Sequence, residues 1–163
     1  MPVVATLSGV AKPWADLFGQ SAPLAIGLLF LHLGAMLVAG GLAVSADRQV
    51  LRLRRWPERR AFVLDELAGV HRPVIAGLVV VIGSGSAMAL ADVETFLPSP
   101  IFWVKMGLLM ALLLNGLRLQ RAEARVQLDT IDDRAWSRLN SSAAISLALW
   151  LLLTLCGVLL MNA

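Results

Sequence analysis

The sequence predicts an all-α fold, a four-helix transmembrane bundle, on the strength of three observations. Hydrophobic residues make up 58% of the 163 residues and charged residues only 15%, a balance that is typical of membrane proteins. Four apolar runs have the length needed to cross the ~30 Å hydrocarbon core of a bilayer as helices. Arginines are concentrated between these runs rather than scattered along the chain. At this length we expect one transmembrane domain.

The first predicted span, residues 22–44, contains no charged residue. Ser21 is placed to cap its first turn, and Pro23 is tolerated there because the first amides of a helix have no helical partner. The remaining spans are predicted at about 74–91, 101–117 and 143–161. Ser99 and Pro100 are predicted to start the third helix after a short acidic connection, and the stretch Thr130-Ile131-Asp132-Asp133 resembles a capping box that starts the fourth. The resulting order is up-down-up-down.

Residues 1–20 are predicted to form a short amphipathic helix in the membrane–water interface. Its apolar stripe has three- and four-residue spacing and consists of Val3, Leu7, Val10, Trp14, Leu17 and Phe18. Pro13 lies inside this helix and could break it in two. An irregular tail is the alternative interpretation.

The distribution of positive charge predicts the orientation of the bundle. Segments 47–72 and 118–142 carry all twelve arginines, whereas the opposite side carries Lys12 and no arginine. The positive-inside rule therefore places both segments in the cytoplasm and both termini outside, which is the periplasm for a bacterial inner membrane. Each arginine beside an anionic leaflet adds ~1 kcal/mol of attraction, so anionic lipids are expected partners.

Apolar residues within the two arginine-rich segments indicate that they are partly helical. Leu64 and Leu67 suggest that the second helix begins below the membrane, and Leu119, Ala122 and Val126 suggest that the third extends below it.

Several function classes are disfavoured by the sequence. The single cysteine, Cys156, excludes an intramolecular disulfide and a cysteine-based zinc motif. No Ser-His-Asp arrangement, nucleotide-binding loop or HExxH motif is apparent, so an enzyme is not the favoured interpretation. The pI near 10.0 reflects arginines that flank apolar spans, which is a topology signal rather than an indication of nucleic-acid binding.

His32 is the main candidate for a functional residue. It follows Ser21 by eleven residues, which places it ~16 Å along the helix, near the bilayer midplane. Met110 lies at a similar depth on the third helix, and Met36 lies one turn beyond His32. The functional interpretation makes His32 a ligand of haem b or Cu(I), with Met36 or Met110 supplying sulfur. The alternative is that His32 hydrogen-bonds a carbonyl or serine of a neighbouring helix while the methionines fill gaps.

The two possible metals differ in what they require. Haem would need Met110 or a second chain, because side chains four residues apart on one helix cannot approach a haem from opposite sides. His71 is predicted at the cytoplasmic interface, too far from His32 for a bis-histidine haem. Cu(I) could use His32 and Met36 together.

Three further polar residues are predicted inside the membrane: Lys105, Ser84 and Asn115. Lys105 is expected to extend towards the outer interface and pair with a carboxylate there, because its long stem allows snorkelling. The expected partners of Lys105 are Asp92, Glu94 and Asp16. Asn115 is expected to bond across to another helix.

Small residues on the first span predict a further packing partner. Gly27, Gly34 and Gly41 form one face, and alanines line the opposite face that bears His32. A helix with two opposed small faces cannot bury both against one neighbour. We therefore expect a homo-oligomer, a larger membrane complex or a cofactor on the second face.

Three stretches carry a resemblance to a known group of proteins. They are Phe30-Leu31-His32-Leu33-Gly34, Val38-Ala39-Gly40-Gly41, and the third-helix stretch from Pro98 to Met106 with Asn115 beyond it. Together they resemble small bacterial membrane proteins of unknown function that are distantly similar to the membrane domain of the CopD copper-resistance family. The resemblance implies copper handling or membrane redox work at His32 and Lys105. The chain departs from a copper-capture pattern because it has no methionine- or histidine-rich outer segment.

Two functional hypotheses follow. The first is an inner-membrane protein that handles a metal or redox cofactor at His32 in a CopD-like manner. The second is a non-catalytic accessory subunit that packs its small-residue face against a larger membrane complex. Colour and metal content of the purified protein distinguish the two.

Overall fold

The computed structural model describes residues 2–53, 60–128 and 132–160. This part of the chain is helical, and the all-α prediction is confirmed. The helices in chain order are α1 (Pro2–Gln20), α2 (Ala22–Leu53), α3 (Arg60–Ala91), α4 (Val93–Phe96), α5 (Pro100–Leu128) and α6 (Asp133–Leu160).

Four of these helices are long and apolar enough to cross a membrane, which supports the prediction of a multi-pass membrane protein. The candidate spans are Ala22–Leu53, Gly69–Ala91, Pro100–Leu128 and Asp133–Leu160. The predicted extension of α3 and α5 beyond their apolar runs is confirmed, since α3 begins at Arg60 and α5 continues to Leu128. Long helices therefore replace most of what the charge pattern alone would assign to loops.

The helix ends agree with the local sequence where they are described. α5 begins at Pro100, as predicted. α6 begins at Asp133, and the side chain of Asp132 accepts a hydrogen bond from the Arg134 amide at 2.8 Å, so Asp132 is the residue that caps this helix. Thr130 and Ile131 of the predicted capping box lie outside the described residues. The connection after α3 contains the short helix α4, capped by Asp92, whose carboxylate accepts from the Thr95 amide at 3.2 Å.

α1 is one continuous helix although it contains Pro13. It packs beside α3 and α4. The Trp14 indole Nε1 donates to the Ala87 carbonyl at 2.8 Å, and the Ser8 hydroxyl donates to Glu94 at 2.7 Å. The N-terminal segment is thus an ordered helix attached to the end of α3, and the break at Pro13 that the sequence allowed does not occur.

The four long helices enclose two apolar clusters. The larger one contains Trp136, Leu139, Val50 and Val126 and joins the ends of α2 and α5 to the starts of α3 and α6. We call this region the arginine-rich end of the bundle. The second cluster is centred on Trp150 and lies further along the helices.

The closest approach in the bundle is between α2 and α3. A Cβ placed on Gly77 would lie 2.6 Å from the Cβ of Ala39, which is itself 0% exposed. Only a residue without a side chain allows these two helix backbones to meet, which is the role that small residues have in helix pairs of membranes.

Candidate functional site: a cavity between the four long helices

A cavity of about 330 Å³ lies between the two apolar clusters. All four long helices contribute to its walls, and most of the lining is aliphatic. Lining residues from the four helices include Ala43, Val74, Leu78, Leu112, Gly116 and Trp150. Its volume is at the lower end of the about 300–1,000 Å³ that is typical of small-molecule sites.

Each of the four helices also contributes a polar side chain to this cavity, and α5 contributes a second one, the half-buried Gln120. Asp47 comes from α2, His71 from α3, Glu123 from α5 and Ser146 from α6. We refer to these four residues as the polar cluster. Three of its members are buried, with exposed fractions of 2% for Asp47, 4% for Glu123 and 6% for Ser146. Buried ionisable groups in a chain of this kind mark candidate functional sites by default, because their burial is costly.

His71 and Glu123 form a short hydrogen-bonded pair across α3 and α5. The His71 Nε2 lies 2.5 Å from a carboxylate oxygen of Glu123. With the imidazole protonated, the positive and negative charges compensate each other. Such a pair holds two helices together, because separating the two side chains would leave a charged group without a partner in an apolar environment.

Asp47 is the least compensated member of the polar cluster. The Ser146 side chain hydrogen-bonds its carboxylate, and His71 is close enough to attract it electrostatically. Its second oxygen, Oδ2, is fully enclosed and has no hydrogen-bond partner among the described residues. A buried carboxylate oxygen that accepts no hydrogen bond is energetically unfavourable. Oδ2 of Asp47 is therefore the polar atom of the cluster that lacks a hydrogen-bond donor among the described residues.

The polar cluster does not have the arrangement of a hydrolytic triad. In a triad one imidazole links the nucleophile to an acid, so that the base can take the hydroxyl proton. Here the Ser146 hydroxyl interacts with Asp47, while the His71 Nε2 is bonded to Glu123. The serine is therefore not activated by the histidine, and the geometry suits binding rather than acyl transfer.

The sequence analysis missed this cluster. It assigned Asp47, His71 and Glu123 to the cytoplasmic arginine-rich segments, and it considered His71 only as a possible second haem ligand. One signal was present: Glu123 directly follows Ala122 and lies between Leu119 and Val126, so it borders an apolar stripe. A charged residue at such a position is a candidate for burial.

His32 is buried against α3, with 8% of its surface exposed. Its Nδ1 lies 3.0 Å from the Ser84 Oγ, and that hydroxyl donates its only hydrogen to the Val80 carbonyl at 2.6 Å. When Ser84 donates to Val80, it accepts from the His32 Nδ1–H, and in that tautomer Nε2 keeps its lone pair. Gly85 permits this fit, because a Cβ there would lie 3.1 Å from the His32 Cε1.

The two methionines proposed as sulfur ligands lie in different surroundings. Met36 is half-buried and packs against the apolar cluster around Trp150. Met110 is 57% exposed on α5. The His32 ring lies beside Ser84 and Gly85, which both belong to α3. His32 and Ser84 are thus brought together, whereas His32 and Met110 are not. No group of three His, Cys, Asp or Glu side chains that could hold a metal ion occurs within residues 2–53, 60–128 and 132–160.

Lys105 and Asn115 both point to α6. The Lys105 Nζ lies 3.8 Å from the position of a Cβ on Gly157, and Lys105 forms no ion pair with any described carboxylate. The expected pairing with an outer carboxylate does not occur among the described residues, and the extension of Lys105 towards the outer interface stays a prediction. The Asn115 Nδ2 donates to the Ser142 carbonyl at 2.8 Å, which is the expected bond between helices.

Comparison with protein-family models, with curated proteins and with solved structures finds no match for this chain. The CopD-like relationship therefore stays a prediction, and the function must be argued from the side chains described above.

Proposed function

We propose that the chain is a bacterial inner-membrane protein whose four long helices cross the bilayer up-down-up-down, with both termini outside. Contacts at two levels support opposite directions for neighbouring helices. His32 with Ser84 and Ala39 with Gly77 connect α2 to α3. Asn115 with Ser142 and Lys105 with Gly157 connect α5 to α6. The arginine-rich end then faces the cytoplasm, where its arginines meet anionic lipids. α1 lies at the outer interface.

Labelling with a membrane-impermeant maleimide tests this orientation. In a Cys156→Ala background, Asn162→Cys is expected to react in intact spheroplasts, because position 162 lies outside. Leu128→Cys is the matched control; Leu128 is 90% exposed at the arginine-rich end, so its cysteine is expected to react only after the membrane is opened. The reverse pattern would refute the proposed orientation.

We further propose that the function of the bundle is to bind a small, largely apolar molecule with one polar group in the cavity. The observation that carries this proposal is the combination of apolar walls with a polar cluster to which every long helix contributes one residue. A site of this composition binds the body of a ligand by apolar burial and orients it through a few polar groups.

Filling the cavity is expected to abolish binding without unfolding the protein. Gly116 lines the cavity, and a Cβ at this position meets no atom within 4 Å. We expect Gly116→Leu to remove saturable binding of radiolabelled 2-phenylethanol to protein in phosphatidylcholine nanodiscs, measured by equilibrium dialysis against protein-free nanodiscs. The melting temperature is expected to stay near that of the wild type.

The matched control is Gly107→Leu on the same helix. A Cβ on Gly107 also meets nothing within 4 Å, but Gly107 does not line the cavity. We expect this variant to bind the probe like the wild type. Absence of saturable binding to the wild type, or equal binding to Gly116→Leu, would reject the cavity proposal and favour a non-catalytic accessory subunit of a larger complex.

A second candidate function is metal or redox cofactor handling at His32, as in the CopD-like prediction. The observation that favours it is the 3.0 Å contact between the His32 Nδ1 and the Ser84 hydroxyl. A metal-binding histidine usually has one ring nitrogen oriented by such a hydrogen bond, and in the tautomer with the hydrogen on Nδ1 the lone pair of Nε2 is available. Met36 on the same helix supplies the sulfur that Cu(I) prefers. A haem at His32 would require a second axial ligand. This ligand would be Met110, which is 57% exposed on the surface of α5, or a residue of a second chain.

Metal analysis tests this second candidate. The purified protein is expected to contain about one copper per chain or to show a Soret band, and His32→Ala is expected to lose either signal while the helical circular dichroism is retained. Ser84→Ala is the companion variant, expected to weaken metal retention because it frees the ring. A colourless, metal-free wild type after growth with copper and haem precursor would exclude a cofactor at His32.

A further inference from the structure

We propose that the cavity selects ligands that carry a protonated amine, and that Asp47 is the residue that pairs with this amine. This inference rests on the proposed cavity function and names the class of ligand. It follows from the charge balance of the polar cluster, the hydrogen-bonding state of Asp47 and the composition of the walls.

The charges that face the cavity do not cancel without a ligand. Two carboxylates, Asp47 and Glu123, and one imidazole, His71, line it. His71 is bonded to Glu123 at 2.5 Å, so the positive charge of a protonated His71 is already shared with that residue. Asp47 forms no ion pair with a described residue, although Arg48 is its neighbour in sequence; Arg48 is exposed. Among the described residues that line the cavity, one negative charge thus remains for a ligand to neutralise.

The hydrogen-bonding state of Asp47 points to a donor on the ligand. Its Oδ2 is enclosed and lacks any donor, while Ser146 interacts with the carboxylate from α6. An ammonium group carries three N–H donors and no acceptor. It supplies the missing charge and, once the Asp47 side chain turns Oδ2 towards the cavity, the missing hydrogen bond. A carboxylate ligand would add repulsion, and a hydroxyl would supply the bond without the charge.

The side chains that line the cavity indicate the chemical character of the rest of the ligand. Aliphatic side chains and Trp150 surround the polar cluster, and they favour an apolar or aromatic body attached to the amine. Asp47, His71 and Glu123 do not come close enough together to hold one metal ion, and the other described residues form no such group either. The geometry therefore points to a small arylalkyl or alkyl amine.

Three probes of nearly equal shape and different charge test the inference: 2-phenylethylamine, 2-phenylethanol and phenylacetate. Binding is measured at pH 8 by equilibrium dialysis of radiolabelled probe, with the protein in phosphatidylcholine nanodiscs so that no anionic lipid attracts the amine. We expect the amine to bind about 10- to 100-fold more tightly than the alcohol, the range for a hydrogen bond to a charged group. Phenylacetate is expected not to bind.

Variants then assign the preference to Asp47. Asp47→Asn is expected to abolish the preference for the amine, so that amine and alcohol bind this variant with similar affinity. Asp16→Asn is the matched control; it removes the same charge from an exposed position on α1 and is expected to change neither affinity. Because the preference is also read directly on the wild type, the test does not depend on the folding of Asp47→Asn.

The possible outcomes separate this inference from the proposed function. Equal affinity of the wild type for amine and alcohol would overturn the inference and leave cavity binding intact. An amine preference that persists in Asp47→Asn would overturn the role of Asp47. Absence of saturable binding for all three probes would reject the proposed function itself.

Discussion

Replacing Gly77 by valine is expected to separate α2 from α3 and to destabilise the bundle strongly. A Cβ at position 77 would lie 2.6 Å from the Cβ of Ala39 and 3.4 Å from the Ala35 carbonyl oxygen. Neither group can rotate away, because one is attached directly to the α2 backbone and the other is part of it. We expect the free energy of unfolding in detergent to fall by about 3 kcal/mol, the upper part of the range for overpacked sites.

The control for this prediction is Gly83→Val on the same helix. A Cβ on Gly83 meets no atom within 4 Å, so this variant carries the same change in helix propensity without the clash. We expect it to change the free energy of unfolding by less than about 0.5 kcal/mol, because valine, although β-branched, has a slightly higher helix propensity than glycine. Equal destabilisation by the two variants would show that close packing at Gly77 is not the cause.

Replacing Glu123 by alanine is expected to produce the second large effect. Glu123 is 4% exposed and holds His71 at 2.5 Å across α3 and α5. Its removal leaves the His71 Nε2 without its partner, at a cost of about 2–3 kcal/mol. This is below the about 3–5 kcal/mol for breaking a fully buried pair, because the His71 side chain is 27% exposed. Thermal or chemical unfolding followed by circular dichroism measures the change.

A double-mutant cycle with His71→Ala isolates the interaction between the two side chains. If the pair stabilises the bundle, the double variant is expected to be less destabilised than the sum of the single variants, with a coupling energy of about 1–3 kcal/mol. Glu94→Ala is the matched control, since Glu94 is exposed and bonds only Ser8. A coupling energy near zero would contradict the role of the pair.

The polar cluster shows most clearly where sequence reasoning reached its limit. Asp47, His71, Glu123 and Ser146 are distant in sequence, and each belongs to a different helix. Periodicity assigns a residue to a face of its own helix, but it does not reveal which neighbour that face meets. The arginines around three of these residues indicated a solvated segment, and the burial of the acidic and histidine side chains among them became evident only once the four helices were packed.

His32 and Lys105 show a related limit. Sequence counting placed His32 and Met110 at similar depths, and depth alone made them possible partners. The rotation of each helix about its axis determines which side chains face each other: His32 faces Ser84, whereas Met110 is 57% exposed. Lys105 was expected to pair with an outer carboxylate, but no such pair occurs among the described residues, and its amine lies near Gly157 of α6.

The sequence by itself determined the helical class, the four long apolar helices, the start of α5 at Pro100 and the extension of α3 and α5 beyond their apolar runs. These features depend on hydrophobicity, periodicity and helix-end residues, which act within one stretch of chain. Only the tertiary structure decided which side chains meet: the Gly77–Ala39 contact, the His32–Ser84 bond and the convergence of four polar residues on one cavity. Such contacts depend on the rotation and spacing of helices that are far apart in the chain, and no local pattern encodes them.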